Sequence, residues 1–136
     1  MTPKLQSHFL NLYSMALADS KFDEKEIAVL YKLGEERGIP KETIDAMLLN
    51  PPRLENLHLP ESVSEKIEYL YDYSKMILAD GVVHDDEIST LGKFCSKFQF
   101  EEENIEMIVQ LLIEAARNKV SKIDLLNFVT QNIHSL

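Results

Sequence analysis

The chain repeats one segment of its own sequence. Residues 15–48 align with residues 76–109 at an offset of 61 positions without a gap, and ten of the 34 aligned pairs are identical. About two identities would be expected by chance, so the match indicates a duplicated structural unit. Units of this kind bury their apolar faces against one another, and both copies are expected to form the same succession of secondary structure elements.

Apolar residues recur at intervals of three and four along most of the chain, which is typical of amphipathic helices. In the first repeat this pattern predicts a helix over residues 5–16 and a second helix that begins near Asp23 and ends at Gly38. Pro40 suits the first turn of a short third helix, which runs through Leu48. The first repeat is therefore expected to be helical throughout.

The second repeat shows the same helical periodicity. Its first helix is predicted to begin at Ser62 or Ser64, either of which can cap a helix, and the next runs from about residue 85 to Phe98. A further helix begins near Glu101, and a last helix is predicted to be capped by Ser121.

No segment shows the alternation of apolar and polar residues that is typical of a strand. The sequence therefore predicts an all-α fold of about seven helices, a pseudo-twofold bundle of two repeated helical-hairpin units. We interpret residues 1–136 as a single domain, because neither half could bury its apolar faces well alone. The predicted parts are repeat units at about 5–49 and 62–116, a connector at 50–61 and a C-terminal helix at about 121–134.

Charge and composition restrict the class of partner. The chain carries 23 acidic and 14 basic residues, a net charge of −9, which argues against a nucleic-acid binder because such proteins neutralise phosphates. No apolar run approaches the ~20 residues that span a bilayer, and no signal-peptide pattern is present, so we expect a cytoplasmic protein without membrane insertion. Cys95, the only cysteine, and the cluster Tyr69, Tyr71 and Tyr73 are expected to pack in or around the core.

Each repeat places carboxylates around the same short break between two helices. The first corner comprises Asp19, Asp23 and Glu26, and the second corner comprises Asp80, Glu87 and one of Asp85 or Asp86. Helix capping accounts for part of this acidity. Asp23 and Glu26 have the spacing of a capping box. Asp85, Asp86 and Glu87 fall in a first helical turn, where negative charge meets the positive end of the helix dipole.

Capping does not account for Asp19 and Asp80, which are predicted to lie at the C-terminal ends of helices, where the dipole disfavours a carboxylate. A divalent cation held by the oxygens of each corner would offset that repulsion, and calcium or magnesium suits such ligands. Neither corner has the ligand spacing of an EF-hand loop. A cation site and capping alone both remain open as interpretations of the corners.

His84 occupies the position in the second repeat that Asp23 occupies in the first. With Asp80 and Glu87 it would provide one imidazole and two carboxylates, a set that suits zinc or manganese. The same three residues define a further alternative, a metallohydrolase. The simpler interpretation is a surface histidine at a helix start.

The corners also carry a family resemblance. The second reads Ala79-Asp80-Gly81 and then Asp86-Glu87-Ile88, and the first reads Ala18-Asp19-Ser20 and then Glu26-Ile27. These motifs resemble the TerB-like tellurite-resistance domain over roughly residues 5–115, although Ser20 and His84 depart from its pattern. The resemblance implies an all-helical fold with internal pseudo-symmetry. The cation site that it implies comprises Asp19, Glu26, Asp80 and Glu87, extended to Asp23, Asp85 and Asp86.

The same resemblance implies a role in metal-linked stress response, in a membrane-associated complex or beside co-chaperone modules, with no catalytic activity. The sequence as a whole therefore predicts a non-enzymatic, acidic helical module that binds a divalent cation and docks a protein partner. The alternatives are a metal-independent interaction scaffold and the metallohydrolase based on the second corner.

Overall fold

The structure is a computed structural model, and it describes residues 2–18, 24–50, 59–81 and 83–132, with the side chains of residues 15–18 and 80 also outside the description. All regular elements in these ranges are helical. They are α1 (Pro3–Ala18), α2 (Glu24–Glu36), α3 (Lys41–Leu49), α4 (Val63–Ile77), α5 (Asp85–Lys97), α6 (Glu102–Arg117) and α7 (Lys122–Asn132), with a 3-10 turn at Leu78–Asp80. The predicted all-α fold of about seven helices is confirmed.

The chain divides into two compact units, Met1–Leu59 and Pro60–Leu136. The 61-residue offset of the sequence repeat carries the bounds of α2, residues 24–36, onto those of α5, residues 85–97. It also carries the start of α3 at Lys41 onto the start of α6 at Glu102. The two repeats therefore form matching helices, while the pseudo-twofold arrangement and the single domain stay predictions.

In the first unit, α1, α2 and α3 all pack on one another. Phe9 on α1, Leu30 and Leu33 on α2, and Ile44 on α3 are buried in the core of the unit. The approach of α2 to α3 is close at Gly34, where an added Cβ would lie 2.4 Å from Cδ1 of Ile44. An added methyl group would force the Ile44 side chain to shift, and glycine avoids that contact.

In the second unit, α4 packs against α5, α6 and α7. Tyr71 and Tyr73 of α4 are fully buried, and the ring of Tyr73 stacks on Phe94 with 4.5 Å between centroids. The Tyr71 hydroxyl bonds the carbonyl oxygens of Ala115, at 3.1 Å, and Val120, and so links α4 to the end of α6 and the following turn. The expected core role of the tyrosines is confirmed.

A buried ion pair joins α4 to α7. The Asp72 side chain is fully buried, and one of its carboxylate oxygens lies 3.0 Å from Nζ of Lys122, the first residue of α7. The α7 helix of the second unit is thus held by a charge contact as well as by the apolar contacts of Leu125 and Val129, which are both buried.

The predicted helix ends are largely confirmed. Gly38 and Gly81 have φ angles of +73° and +80°, the left-handed conformation that terminates helices most readily at glycine. The hydroxyl oxygens of Ser62 and Ser121 each accept a hydrogen bond of 3.1 Å from the backbone N–H three residues on. The predicted helix start at Asp23 and most of the connector, residues 51–58, lie outside the described residues.

Cys95 is fully buried in α5, as expected. Burial raises the pKa of the Cys95 thiol to about 12, so the thiol stays protonated and unreactive in the folded unit. None of the helices that the structure describes is long and apolar enough to cross a membrane.

Candidate functional site

The acidic corners are only partly within the described residues. Asp19 and Asp23 lie outside them, as does the side chain of Asp80. Glu26 lies in the first turn of α2 and is buried, with 3 % of its surface exposed. Among the side chains that the structure describes, no group of three or more His, Cys, Asp or Glu residues could hold a metal ion. The predicted first-corner cation site therefore stays a prediction.

The described part of the second corner caps the start of helix α5. One carboxylate oxygen of Glu87 accepts a hydrogen bond from the backbone N–H of His84 at 3.3 Å, the reciprocal contact that a capping box makes. The same oxygen lies 4.0 Å from Nε2 of His84. Asp85 and Asp86 are exposed in the first turn of α5. The structure thus brings His84 and Glu87 together and explains their contact by the start of α5.

A groove of about 750 Å³ lies between α5 and α6, entirely within the second unit. Its volume is in the range of sites that accept ligands or anchoring side chains. Its lining residues include the apolar set Val83, Ile88, Gly92, Ile105, Val109 and Ile113. The charged residues of the lining are Lys93, Glu102, Glu106, Glu114 and Arg117. We refer to this feature as the α5–α6 groove.

Gly92 lines the groove and adds no side chain to it. This residue lies inside α5, where glycine is less favourable than alanine by about 1 kcal/mol. Close packing does not require it, because an added Cβ would meet Cγ2 of Ile105 at 3.7 Å, an ordinary contact. Gly92 therefore differs from Gly34, which α3 crowds. Its main structural effect is to leave space between α5 and α6.

The first unit carries a tyrosine at the position that matches Gly92. The offset of 61 places Gly92 at the position of Tyr31, and it places Glu106 at the position of Asp45. Tyr31 reaches from α2 to α3, where its hydroxyl donates a hydrogen bond to the Asp45 carboxylate. That bond, together with partial burial, raises the pKa of Tyr31. The Tyr31 side chain therefore bridges α2 and α3 through its bond to Asp45. We refer to this contact as the wedge, and the second unit has glycine at the matching position.

A lysine covers this wedge in the first unit, and an acid replaces it in the second. Nζ of Lys41 lies 5.1 Å from the centre of the Tyr31 ring, within cation–π range. The offset places Glu102 at the position of Lys41. Gly92, Glu102 and Glu106 all line the α5–α6 groove. The three positions that build the wedge in the first unit therefore surround open space in the second.

The groove is acidic where α6 begins. Oε1 of Glu114 lies 4.0 Å from Nη1 of Arg117, so these two charges of the lining oppose each other. The other charged residues of the lining are two acids, Glu102 and Glu106, and one base, Lys93. Glu101 lies just before Glu102, and hydrogen bonding with the neighbouring Glu103 carboxylate, with its charge, raises the pKa of Glu101. Carboxylates outnumber basic groups in the lining, three to two, and their charge would favour a basic ligand.

Comparison of the chain with protein-family models, curated proteins and solved structures found no match. The TerB-like resemblance therefore stays a prediction, and so do the activities and partners that it implies.

Sequence reasoning missed the α5–α6 groove. The repeat alignment nevertheless contains a signal, because Gly92 aligns with Tyr31 while many neighbouring positions are apolar in both copies. A change from a large aromatic residue to glycine at one aligned position means that one copy has lost a packed side chain. Whether the space is then closed by the neighbouring helix depends on tertiary packing, which the alignment does not contain.

Proposed function

We propose that this chain is a non-enzymatic interaction module that binds a basic segment of a partner protein in the α5–α6 groove. The supporting observation is the open apolar groove itself, whose lining includes a helix-weakening glycine of α5 that close packing does not require. Grooves between two helices are a recurrent docking site for amphipathic segments, whose apolar side chains insert between the helices.

Charge selects the class of segment. The chain has a net charge of −9, and Glu102 and Glu106 stand at the groove against Lys93. An acidic segment would be repelled both at long range and at the groove, whereas a basic one would be attracted and would associate faster at low salt. The partner is therefore a protein segment that combines apolar anchors with lysine or arginine.

The test is a selection with a phage-displayed library of random peptides of about 15 residues, a length that suits a groove between helices. Selected peptides are synthesised and titrated against two variants by fluorescence anisotropy. Ile88→Asn changes a groove residue that is 37 % exposed, and Met107→Asn changes an α6 residue that is 46 % exposed and does not line the groove.

We expect Ile88→Asn to weaken binding by about tenfold or more, because one apolar contact is replaced by a polar group. Met107→Asn should bind as the unmodified chain does. Equal effects of the two substitutions, or none from Ile88→Asn, would show that the groove is not the docking site. Circular dichroism of both variants checks that the helices are retained.

Cation binding at the acidic corners is a second part of the sequence prediction, and the described contacts favour capping for Glu87. It is tested by thermal melting with calcium, magnesium, zinc or manganese. If an ion binds only the folded chain, a free ion concentration of about 100 times the dissociation constant would stabilise the fold by about 2.7 kcal/mol. The double change Asp80→Asn and Glu87→Gln should abolish that rise. An unchanged melting temperature at millimolar metal would leave capping as the role of the corners.

A cytoplasmic location, a metal-linked stress response with tellurite resistance, and membership of a membrane-associated complex are further predictions. They come from the composition and from the TerB-like resemblance, and the docking proposal does not depend on them. The metallohydrolase alternative uses Asp80, His84 and Glu87. It predicts metal-dependent hydrolysis that the same double change would remove.

A further inference from the structure

We propose that the α5–α6 groove seats a tyrosine side chain of the partner segment, with the phenol hydroxyl donating to Glu106 and a neighbouring basic residue held by Glu102. This inference rests on the docking function proposed above and specifies its anchor. It follows from the first unit, which contains the corresponding contacts within one chain.

The contacts of Tyr31 in the first unit show how a tyrosine side chain can bind between two helices of this repeat. The Tyr31 hydroxyl on α2 donates a hydrogen bond to the Asp45 carboxylate on α3, and Nζ of Lys41 at the start of α3 lies over the ring. In the second unit α5 and α6 occupy the matching stretches of the repeat, with Glu106 where Asp45 stands. The acceptor for a phenol is thus retained, and the phenol itself is absent from the chain at this position.

The change from Lys41 in the first repeat to Glu102 in the second indicates that a positive group beside the ring would come from the partner. Lys41 supplies a positive group beside the ring in the first unit, whereas Glu102 supplies a negative group at the matching position in the second. A ring in the α5–α6 groove would therefore have no cation from that position. A lysine or arginine beside the tyrosine of the partner would pair with Glu102 and restore the positive charge near the ring.

The space also suits this occupant. An added Cβ at Gly92 is 3.7 Å from the nearest atom that it would meet, so a ring can approach the α5 backbone closely. The groove volume of about 750 Å³ exceeds one ring and leaves room for flanking residues of the segment. A second copy of this chain is a poorer occupant, since each copy carries a net charge of −9. Tyrosine also combines a large apolar surface with one hydroxyl, as this groove requires.

The library selection described above separates this inference from the docking function. We expect the peptides whose binding depends on Ile88 to be enriched in tyrosine next to lysine or arginine. If Ile88-dependent peptides are instead rich in leucine or isoleucine and lack tyrosine, the groove docks partners and the tyrosine anchor is wrong. If the selection yields no peptide that depends on Ile88, the docking function and the anchor both fail.

Matched variants test the phenol contact directly. For a selected tyrosine peptide, replacing its tyrosine with phenylalanine should weaken binding to the unmodified chain by about tenfold or more, the loss of one hydrogen bond to a charged acceptor. In Glu106→Ala that ratio should fall to about one, whereas Glu103→Ala, outside the groove, should retain it. A ratio that is the same in all three proteins overturns the Glu106 contact.

Gly92→Tyr offers a second route, because it rebuilds the wedge of the first unit within α5. The variant should retain its helical circular dichroism and lose peptide binding by at least about tenfold. Met107→Tyr, which adds a ring on α6 at a residue that is 46 % exposed and does not line the groove, is the folded control and should bind the peptide as the unmodified chain does. A folded Gly92→Tyr that still binds the peptide as the unmodified chain does overturns the proposal. If Gly92→Tyr is unfolded, the Glu106 comparison still decides it.

Discussion

The α2–α3 pair of the first unit and the α5–α6 pair of the second begin at matching positions of the repeat and pack differently. The first pair is closed by the Tyr31 wedge and by the close approach at Gly34. The second carries Gly92 at the wedge position and an open groove beside it. The comparison indicates that one aligned side chain can distinguish a helix pair that is bridged from one that leaves an open groove.

The most direct way to break this comparison is Tyr31→Gly, which gives the first unit the residue of the second. We expect the free energy of unfolding to fall by about 2–4 kcal/mol, because the change removes the ring packing and its hydrogen bond and places a glycine inside α2. Urea unfolding followed by circular dichroism measures the loss. Stability equal to that of the unmodified chain would show that the wedge does not hold α2 to α3.

The next largest change in stability is expected at Gly34, where α2 and α3 approach closely. Gly34→Ala should lower the free energy of unfolding by about 1–3 kcal/mol, because the new methyl group would lie 2.4 Å from Ile44 Cδ1 and 3.3 Å from the Ile39 carbonyl oxygen. Hydrogen exchange read by mass spectrometry should locate the loss in α2 and α3. Unchanged exchange there would mean that α3 accommodates the methyl group without strain.

The wedge should also give the first unit a dependence on pH. Tyr31→Phe removes the bond to Asp45 and should reduce stability at neutral pH by about 1 kcal/mol. Because the folded state raises the pKa of Tyr31 above 10.0, its contribution is complete below pH 10 and is lost as pH rises through the raised value. The difference in unfolding free energy between the two proteins should therefore shrink above pH 10. A constant difference across that range would contradict this assignment.

The smallest effect sharpens the comparison from the second unit. Gly92→Ala should raise the free energy of unfolding by up to about 1 kcal/mol, because alanine favours the helix and its Cβ meets no close atom. The pair Gly34→Ala and Gly92→Ala should thus change stability in opposite directions. A loss of stability in both would show that α5 and α6 pack more tightly than the groove implies.

The helices were predictable because local signals determine them. Ser62 and Ser121 cap helices as expected, and Gly38 and Gly81 adopt the left-handed conformation that ends a helix. The helices predicted to start at about residue 85 and near Glu101 begin at Asp85 and Glu102. These features depend on a few neighbouring residues and on the spacing of apolar side chains.

The groove could not be predicted from the same signals. Its existence depends on where α6 lies relative to Gly92, and a sequence does not state whether a neighbouring helix moves in to fill the space of a missing ring. At the acidic corners, the helix start was predictable and the relative placement of the carboxylates was not. The spacing of His84 and Glu87 predicted residues at a helix start, and the Glu87 carboxylate caps α5 there. Whether carboxylates from two helices converge on one ion depends on the turns between them.

The buried thiol of Cys95 has a practical consequence for all of these measurements. It is the only sulfhydryl of the chain, it lies in α5, and it is protonated and enclosed while the second unit is folded. An alkylating reagent can therefore modify the protein only when α5 opens. The alkylation rate therefore measures how often α5 opens, and an anchored ligand should slow it.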